Sequence, residues 1–113
     1  MSDAPQQPHF ANIDSESYQE HFKSGDHILV DVRELHEWMQ GHLPGAVHIP
    51  LWELEDRLDE IPGDQPVVVV CAVGGRSMQG AQFLLESGYQ EVYNLSDGTM
   101  GWIKKGLPIE REG

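Results

Sequence analysis

Four consecutive valines, Val67–Val70, run into the only cysteine of the chain, Cys71, and then into Ala-Val-Gly-Gly-Arg-Ser over residues 72–77. An unbroken β-branched run has no polar face to offer water, so it reads as a strand of a parallel sheet buried on both faces. The rest of the chain alternates in a way that fits such a sheet. Asp14 or Ser15 is placed to cap a helix over 16–23, with Tyr18 and Phe22 on one face. Residues 27–32 read as a strand, and 34–40 as a short helix with Leu35, Trp38 and Met39 sharing a face. A second short strand is expected over 46–50. Apolar residues at 51, 54, 58 and 61 mark one helical stripe, ended by Pro62-Gly63-Asp64. Ser77–Ser87 reads as a helix with Met78, Ala81, Leu84 and Leu85 inward and Gly88 as its stop. Residues 91–95 form a strand, and a last short helix holds Met100, Trp102 and Ile103. This order predicts an α/β domain over 9–113, a central mostly parallel sheet with helices on both faces, behind a polar tail over 1–8.

At 113 residues the chain has the length of one domain with one core. The formal charge of −12 argues against nucleic acid and against an anionic membrane surface, both of which require clustered Lys and Arg. No apolar run approaches the roughly 20 residues that span a bilayer, and the start has no export-signal pattern, so the cytoplasm is the expected location. One cysteine leaves no internal disulfide and no cysteine-rich zinc site. The acidity also sets a problem: any anionic substrate has to be drawn by positive potential supplied locally.

The loop after Cys71 has the parts to supply it. A tight strand-to-helix turn aims several N–H groups at one point, and Gly74 and Gly75 allow positive φ and leave the bowl open. A helix starting near Arg76 or Ser77 adds the positive end of its dipole, and Arg76 adds a forked cation. Such settings favour thiolate over thiol. The plainer alternative is a small buried cysteine at a strand end, but an inert thiol has no need of an anion-binding loop. In open α/β sheets, sites gather at the carboxyl ends of strands, where Cys71 falls.

At these residues the chain resembles the single-domain rhodaneses. Residues 31–51, DVRELHEWMQGHLPGAVHIPL, resemble the family's upstream signature; CAVGGRS resembles its active-site loop; and residues 87–102, SGYQEVYNLSDGTMGW, resemble its closing segment. The resemblance covers about residues 9–108. It implies a sulfurtransferase that works by a ping-pong mechanism. The Cys71 thiolate takes the outer sulfur of a donor such as thiosulfate. The persulfide is cradled by Ala72, Val73, Gly74, Gly75, Arg76 and Ser77, and the sulfur passes to cyanide, a small thiol or a protein thiol. No metal and no organic cofactor are implied. Two positions depart from the family pattern: Asp97 replaces a common glycine, and Ala72 and Val73 are uncharged where thiosulfate-preferring relatives often carry a basic residue.

Other readings stay open at this stage. Cysteine phosphatases also use a Cys-to-Arg cradle, but with one residue more between the two, and the four residues here suit a single sulfur better than a phosphoryl group. A persulfide carrier between protein partners, without turnover of its own, is a second alternative; an inactive interaction domain is a third. Asp31 and Arg33 are candidate supporting residues, either for the site's field and loop or structurally, with Arg33 paired to Glu37 one turn on. Ser77 reads as a cap or loop partner rather than a nucleophile. Trp102 is the tryptophan best placed to line the pocket, and Trp38 and Trp52 read as core or pocket wall. His42 and His48 lack metal-ligand spacing. The acidic cluster of Glu53, Glu55, Asp56, Asp59 and Glu60 reads as a solvated face.

Overall fold

The structure, a computed structural model, describes residues 9–111; the tail expected over 1–8 lies outside them. The strands are β1 (Ala11–Ile13), β2 (Ile28–Asp31), β3 (Val47–His48), β4 (Val67–Val70) and β5 (Val92–Leu95). The helices are α1 (Ser15–His21), α2 (Leu35–Gln40), α3 (Gly75–Glu86) and α4 (Gly98–Lys104). The strands form one sheet in the order β1-β5-β4-β2-β3, and every pairing is parallel.

β4 lies at the centre with all four valines fully buried, and side-chain alternation divides them between two cores. Val67 and Val69 join Val30, Leu84, Ala81 and Val92 on the α3 side. Val68 and Val70 join Leu29, Leu95, Tyr18, Phe22 and Trp102 on the α1 and α4 side. Each fully buried valine contributes about 1.5–3 kcal/mol before conformational entropy is counted, which makes β4 the mechanical base of the domain. The alternation carries on into Cys71, which belongs to the α3-side core.

Several helical faces differ from their expected pattern. On α2 only Trp38 is buried, while Leu35 and Met39 are exposed; a six-residue helix has room to dock one large side chain, and Trp38 is that side chain. Met78 on α3 is likewise exposed, whereas Ala81, Leu84 and Leu85 are buried as expected; on α4, Met100 and Ile103 are exposed and Trp102 is buried. Residues 51–61 form two 3-10 turns, Leu51–Glu53 and Glu55–Glu60, in place of one helix. Arg57 breaks the helical path with φ −119° while its guanidinium binds Glu53, Glu60 and the His48 carbonyl. The stripe still faces inward: Leu54 and Ile61 are buried, and Leu51 and Leu58 are half-buried. Asp14 provides the cap of α1 by accepting from Ser17 N at 2.8 Å.

Candidate active site

Cys71 follows the last residue of β4, and α3 starts only four positions later, at Gly75. The turn between them is tight because Gly74 adopts φ +99°, and a Cβ there would stand 2.6 Å from the Ser96 carbonyl oxygen. Gly75 already belongs to the helix, with open space where a Cβ would go, so one glycine of the pair is required by geometry and not both.

The carbonyls of the loop are tied on the far side. Thr99 N donates to the Cys71 carbonyl at 2.8 Å and Met100 N to the Ala72 carbonyl at 3.0 Å. These are first-turn N–H groups of α4, without partners inside their own helix. With its carbonyls held by α4, the loop turns N–H groups toward the sulfur, and Gly74 N reaches Cys71 Sγ at 3.1 Å. Gly98 makes the close approach possible: it has φ +65°, and a Cβ would fall 2.3 Å from the Ala72 oxygen.

Ser77, fully buried in the first turn of α3, brings its Oγ to 3.3 Å from Cys71 Sγ. The same hydroxyl makes a short hydrogen bond to Asn94 Oδ1. Asn94 is oriented by its Nδ2, which donates to Asn12 Oδ1 at 2.9 Å and to the Gly74 carbonyl at 3.4 Å. Burial alone pushes the Cys71 thiol up. The hydroxyl and N–H of Ser77, with the N–H groups of Gly74 and Val73, outweigh that effect and bring the thiol below its ordinary value. Cys71 as a residue is 1% exposed, at the floor of the bowl.

Arg76 brings its charge to Cys71 as expected, but it is held from outside the loop. Its guanidinium grips Glu37 of α2 with both arms, at 2.8 and 2.9 Å. The hydrogen bonds from Arg76 pull the Glu37 carboxyl down to about 2, with burial opposing. Hydrogen-bond donors touch the sulfur, while the Arg76 guanidinium acts on it through charge and without contact.

Asp31 and Arg33 lie at the same edge of the sheet, and Asp31 is in register with Val70. Arg33 donates to both Asp31 oxygens and to the Gly41 carbonyl, all in buried surroundings. Its partner is thus Asp31 and not the expected Glu37; the pair holds the β2–α2 corner and does not touch the sulfur. Trp102 lines no part of the bowl. It packs in the α1 and α4 core and donates from Nε1 to the Pro108 carbonyl at 2.6 Å. Trp52 is exposed, and Trp38 stacks on His42 with ring centroids 3.5 Å apart and more loosely on His48. Asp97 accepts from the N–H and hydroxyl of Ser15 and from Lys105, joining the start of α1 to α4.

Sequence reasoning passed over Asn94, Gly98 and the Glu37 contact to Arg76. Asn94 left a signal: a polar residue at a sheet position in register with Val69, where an apolar side chain is the norm.

A parallel α/β sheet with an ionisable thiol cradled at its carboxyl edge defines the class of domain. The chain belongs to the rhodanese-like domain family, whose model matches residues 14–105. It is 41% identical over 98 residues to a sulfurtransferase of Allochromatium vinosum, covering 86% of this chain and 92% of that protein. To the thiosulfate sulfurtransferase GlpE of Glaesserella parasuis it is 35% identical over 101 residues, covering 89% and 94%. The crystal structure of a rhodanese-related protein from Thermoplasma volcanium superposes with a TM-score of 0.82 at 28% identity, over 91% of this chain and all of that one. Among the described residues, no helix is long and apolar enough to cross a membrane.

Proposed function

We propose that the chain is a rhodanese-type sulfurtransferase in which Cys71 carries the sulfur as a persulfide between two half-reactions. The observation that carries the reading is the Cys71 sulfur held by Gly74 N at 3.1 Å and Ser77 Oγ at 3.3 Å, with its thiol lowered despite burial.

In the first half-reaction the thiolate attacks the outer sulfur of a donor. The Sγ–S bond forms as the donor's sulfur–sulfur bond breaks, and the electron pair leaves with sulfite when thiosulfate is the donor. The hydrogen bonds to the sulfur favour ionisation of the thiol, so this step draws on no separate general base. The N–H groups that favoured the thiolate then face the terminal sulfur of the persulfide, so the same dipoles serve both resting states. In the second half-reaction cyanide, a small thiol or a protein thiol takes the outer sulfur, and the thiolate returns. Both steps balance without a metal or organic cofactor. A nucleophile as deeply set as Cys71, a residue 1% exposed, suits a single terminal sulfur better than a phosphoryl group with its equatorial oxygens. A thiolate kept free for this work fits a reducing compartment such as the cytoplasm.

The test is intact-mass spectrometry of the protein after incubation with excess sulfane donor. Cys71 is expected to gain one sulfur atom that disappears on addition of cyanide, and Cys71→Ser is expected to gain none. Turnover that survives in Cys71→Ser would remove the basis of this reading.

A further inference from the structure

The chain has seven Lys and Arg against 19 Asp and Glu, and the one cation of the active-site loop, Arg76, already has a carboxylate partner. Glu37 holds both arms of Arg76, and the charges of Cys71 and of Glu34, at the head of α2, act on the same guanidinium. Glu37 is itself fixed, because it closes the capping box of α2 by accepting from Glu34 N at 3.0 Å. Arg33, also at this edge, donates to Asp31 and the Gly41 carbonyl. Beside the loop lies a cleft lined by Asn12, Val73, Gly74, Met78, Asn94 and Ser96, none of them charged. Val73 is 71% exposed and Met78 44% exposed at its rim. The N–H groups of the bowl stabilise an anion in contact with them, but dipoles attract little at a distance, whereas the net charge of −12 repels a dianion on approach.

We infer that Glu37 is a specificity-determining residue: by holding Arg76 it turns the site away from dianionic donors and toward an organic sulfane-sulfur donor of at most one negative charge, whose carbon group rests on Val73 and Met78. This rests on the sulfur-transfer reading above and names the donor class for it. For a thiosulfonate, R–SO2–S−, the Cys71 thiolate bonds to the outer sulfur. The donor's sulfur–sulfur bond breaks with its electron pair on the leaving sulfinate, and Cys71 is left as an ionised persulfide. Charge is conserved and no external oxidant or reductant takes part.

The experiment compares thiosulfate with benzenethiosulfonate as donors, with cyanide as the common acceptor, in the wild type, Glu37→Gln and Glu37→Gln/Arg76→Gln. Glutamine keeps the capping-box geometry, so α2 is retained. In the wild type kcat/KM for thiosulfate is expected to rise with added salt as repulsion is screened, with a slope roughly twice that for the monoanionic thiosulfonate. Glu37→Gln is expected to raise kcat/KM for thiosulfate about tenfold, the scale of one uncovered charge acting on a dianion at close range. The thiosulfonate is expected to gain much less, and the double variant to lose the gain. Equal gains for both donors, no gain for either, or a wild-type thiosulfate rate that falls with salt overturns the inference while leaving sulfur transfer intact. If neither donor at saturation loads sulfur on Cys71, the sulfur-transfer reading fails, and the donor class with it.

Discussion

The hydroxyl of Ser77 lies 3.3 Å from the sulfur of Cys71, on the floor of the loop, where it is the strongest single influence favouring the thiolate. Its proton has two claimants, because Asn94 Oδ1 accepts from the same oxygen. The hydroxyl thus links the nucleophile to a side chain on the neighbouring strand.

The first expected outcome concerns pH. The thiol of Cys71 lies below its ordinary value because the hydrogen bonds from Ser77, Gly74 and Val73 outweigh burial. Thiolate absorbance, clean in a protein with one cysteine, should therefore titrate below a free thiol in the wild type and at higher pH in Ser77→Ala. Ser77→Thr should restore most of the difference. The sign for stability follows from a folded-state value depressed below the unfolded one. This ionisation stabilises the fold above the unfolded thiol's range, and the contribution is lost as pH falls through the folded value. If the titrations of wild type and Ser77→Ala coincide, the hydroxyl does not set the thiol.

Asn94 gives a second outcome that moves in a chosen direction. An aspartate at this position keeps an acceptor for Ser77 but adds a negative charge on the Cys71 side of the sheet. It also loses the Nδ2 donor that holds Asn12 Oδ1 and the Gly74 carbonyl. Asn94→Asp should shift the thiolate titration upward and lower kcat/KM at neutral pH, and the deficit should shrink as pH rises. A loss that is the same at every pH would assign Asn94 a packing role alone.

The glycines of the site are not equivalent. Gly98→Ala puts a Cβ 2.3 Å from the Ala72 oxygen at φ +65°. It should cost about 1–3 kcal/mol in urea denaturation and disturb the loop that α4 holds in place. Gly75→Ala meets open space at the start of α3 and should be neutral or stabilise by about 0.4–1 kcal/mol. Equal destabilisation in the two variants would contradict the contact seen at Gly98.

The valine run and the alternation around it made the parallel sheet legible in the sequence, because burial on both faces leaves its mark on every residue of β4. Cys71 and the strand-to-helix turn were legible for the same local reason. What escaped was decided between elements distant in sequence. Arg76 and Glu37 lie 39 positions apart, so the local pairing rule that linked Arg33 with Glu37 found a plausible contact and missed the actual one. Asp31 bound Arg33 two residues away because the chain turns back on itself at the end of β2, a geometry that helical spacing does not contain. Trp102 was assigned by its neighbourhood in the chain, yet the face of α4 it occupies turns it to the core opposite the sulfur. Met78 fits the inward stripe of α3 but stands in its first turn, beside the active-site loop, so periodicity counted it as buried when the fold leaves it exposed.

The Asp31–Arg33 pair carries the last outcome, which separates stability from chemistry. Asp31 is completely buried, and Arg33 supplies three of the hydrogen bonds its two carboxylate oxygens accept from a side chain. Truncating one partner leaves an uncompensated charge inside the protein, a loss of about 3–5 kcal/mol for such pairs. Arg33→Ala should therefore lower the urea midpoint strongly, and Arg33→Lys should recover only part of it because a lysine cannot bridge two oxygens and the Gly41 carbonyl at once. Since neither side chain touches the sulfur, the thiolate titration of the folded fraction should stay at the wild-type position below the denaturation range. A shifted titration in well-folded Arg33→Lys would show that the pair acts on the nucleophile through the field at the sheet's edge, and that its work is not confined to holding the corner of β2 and α2.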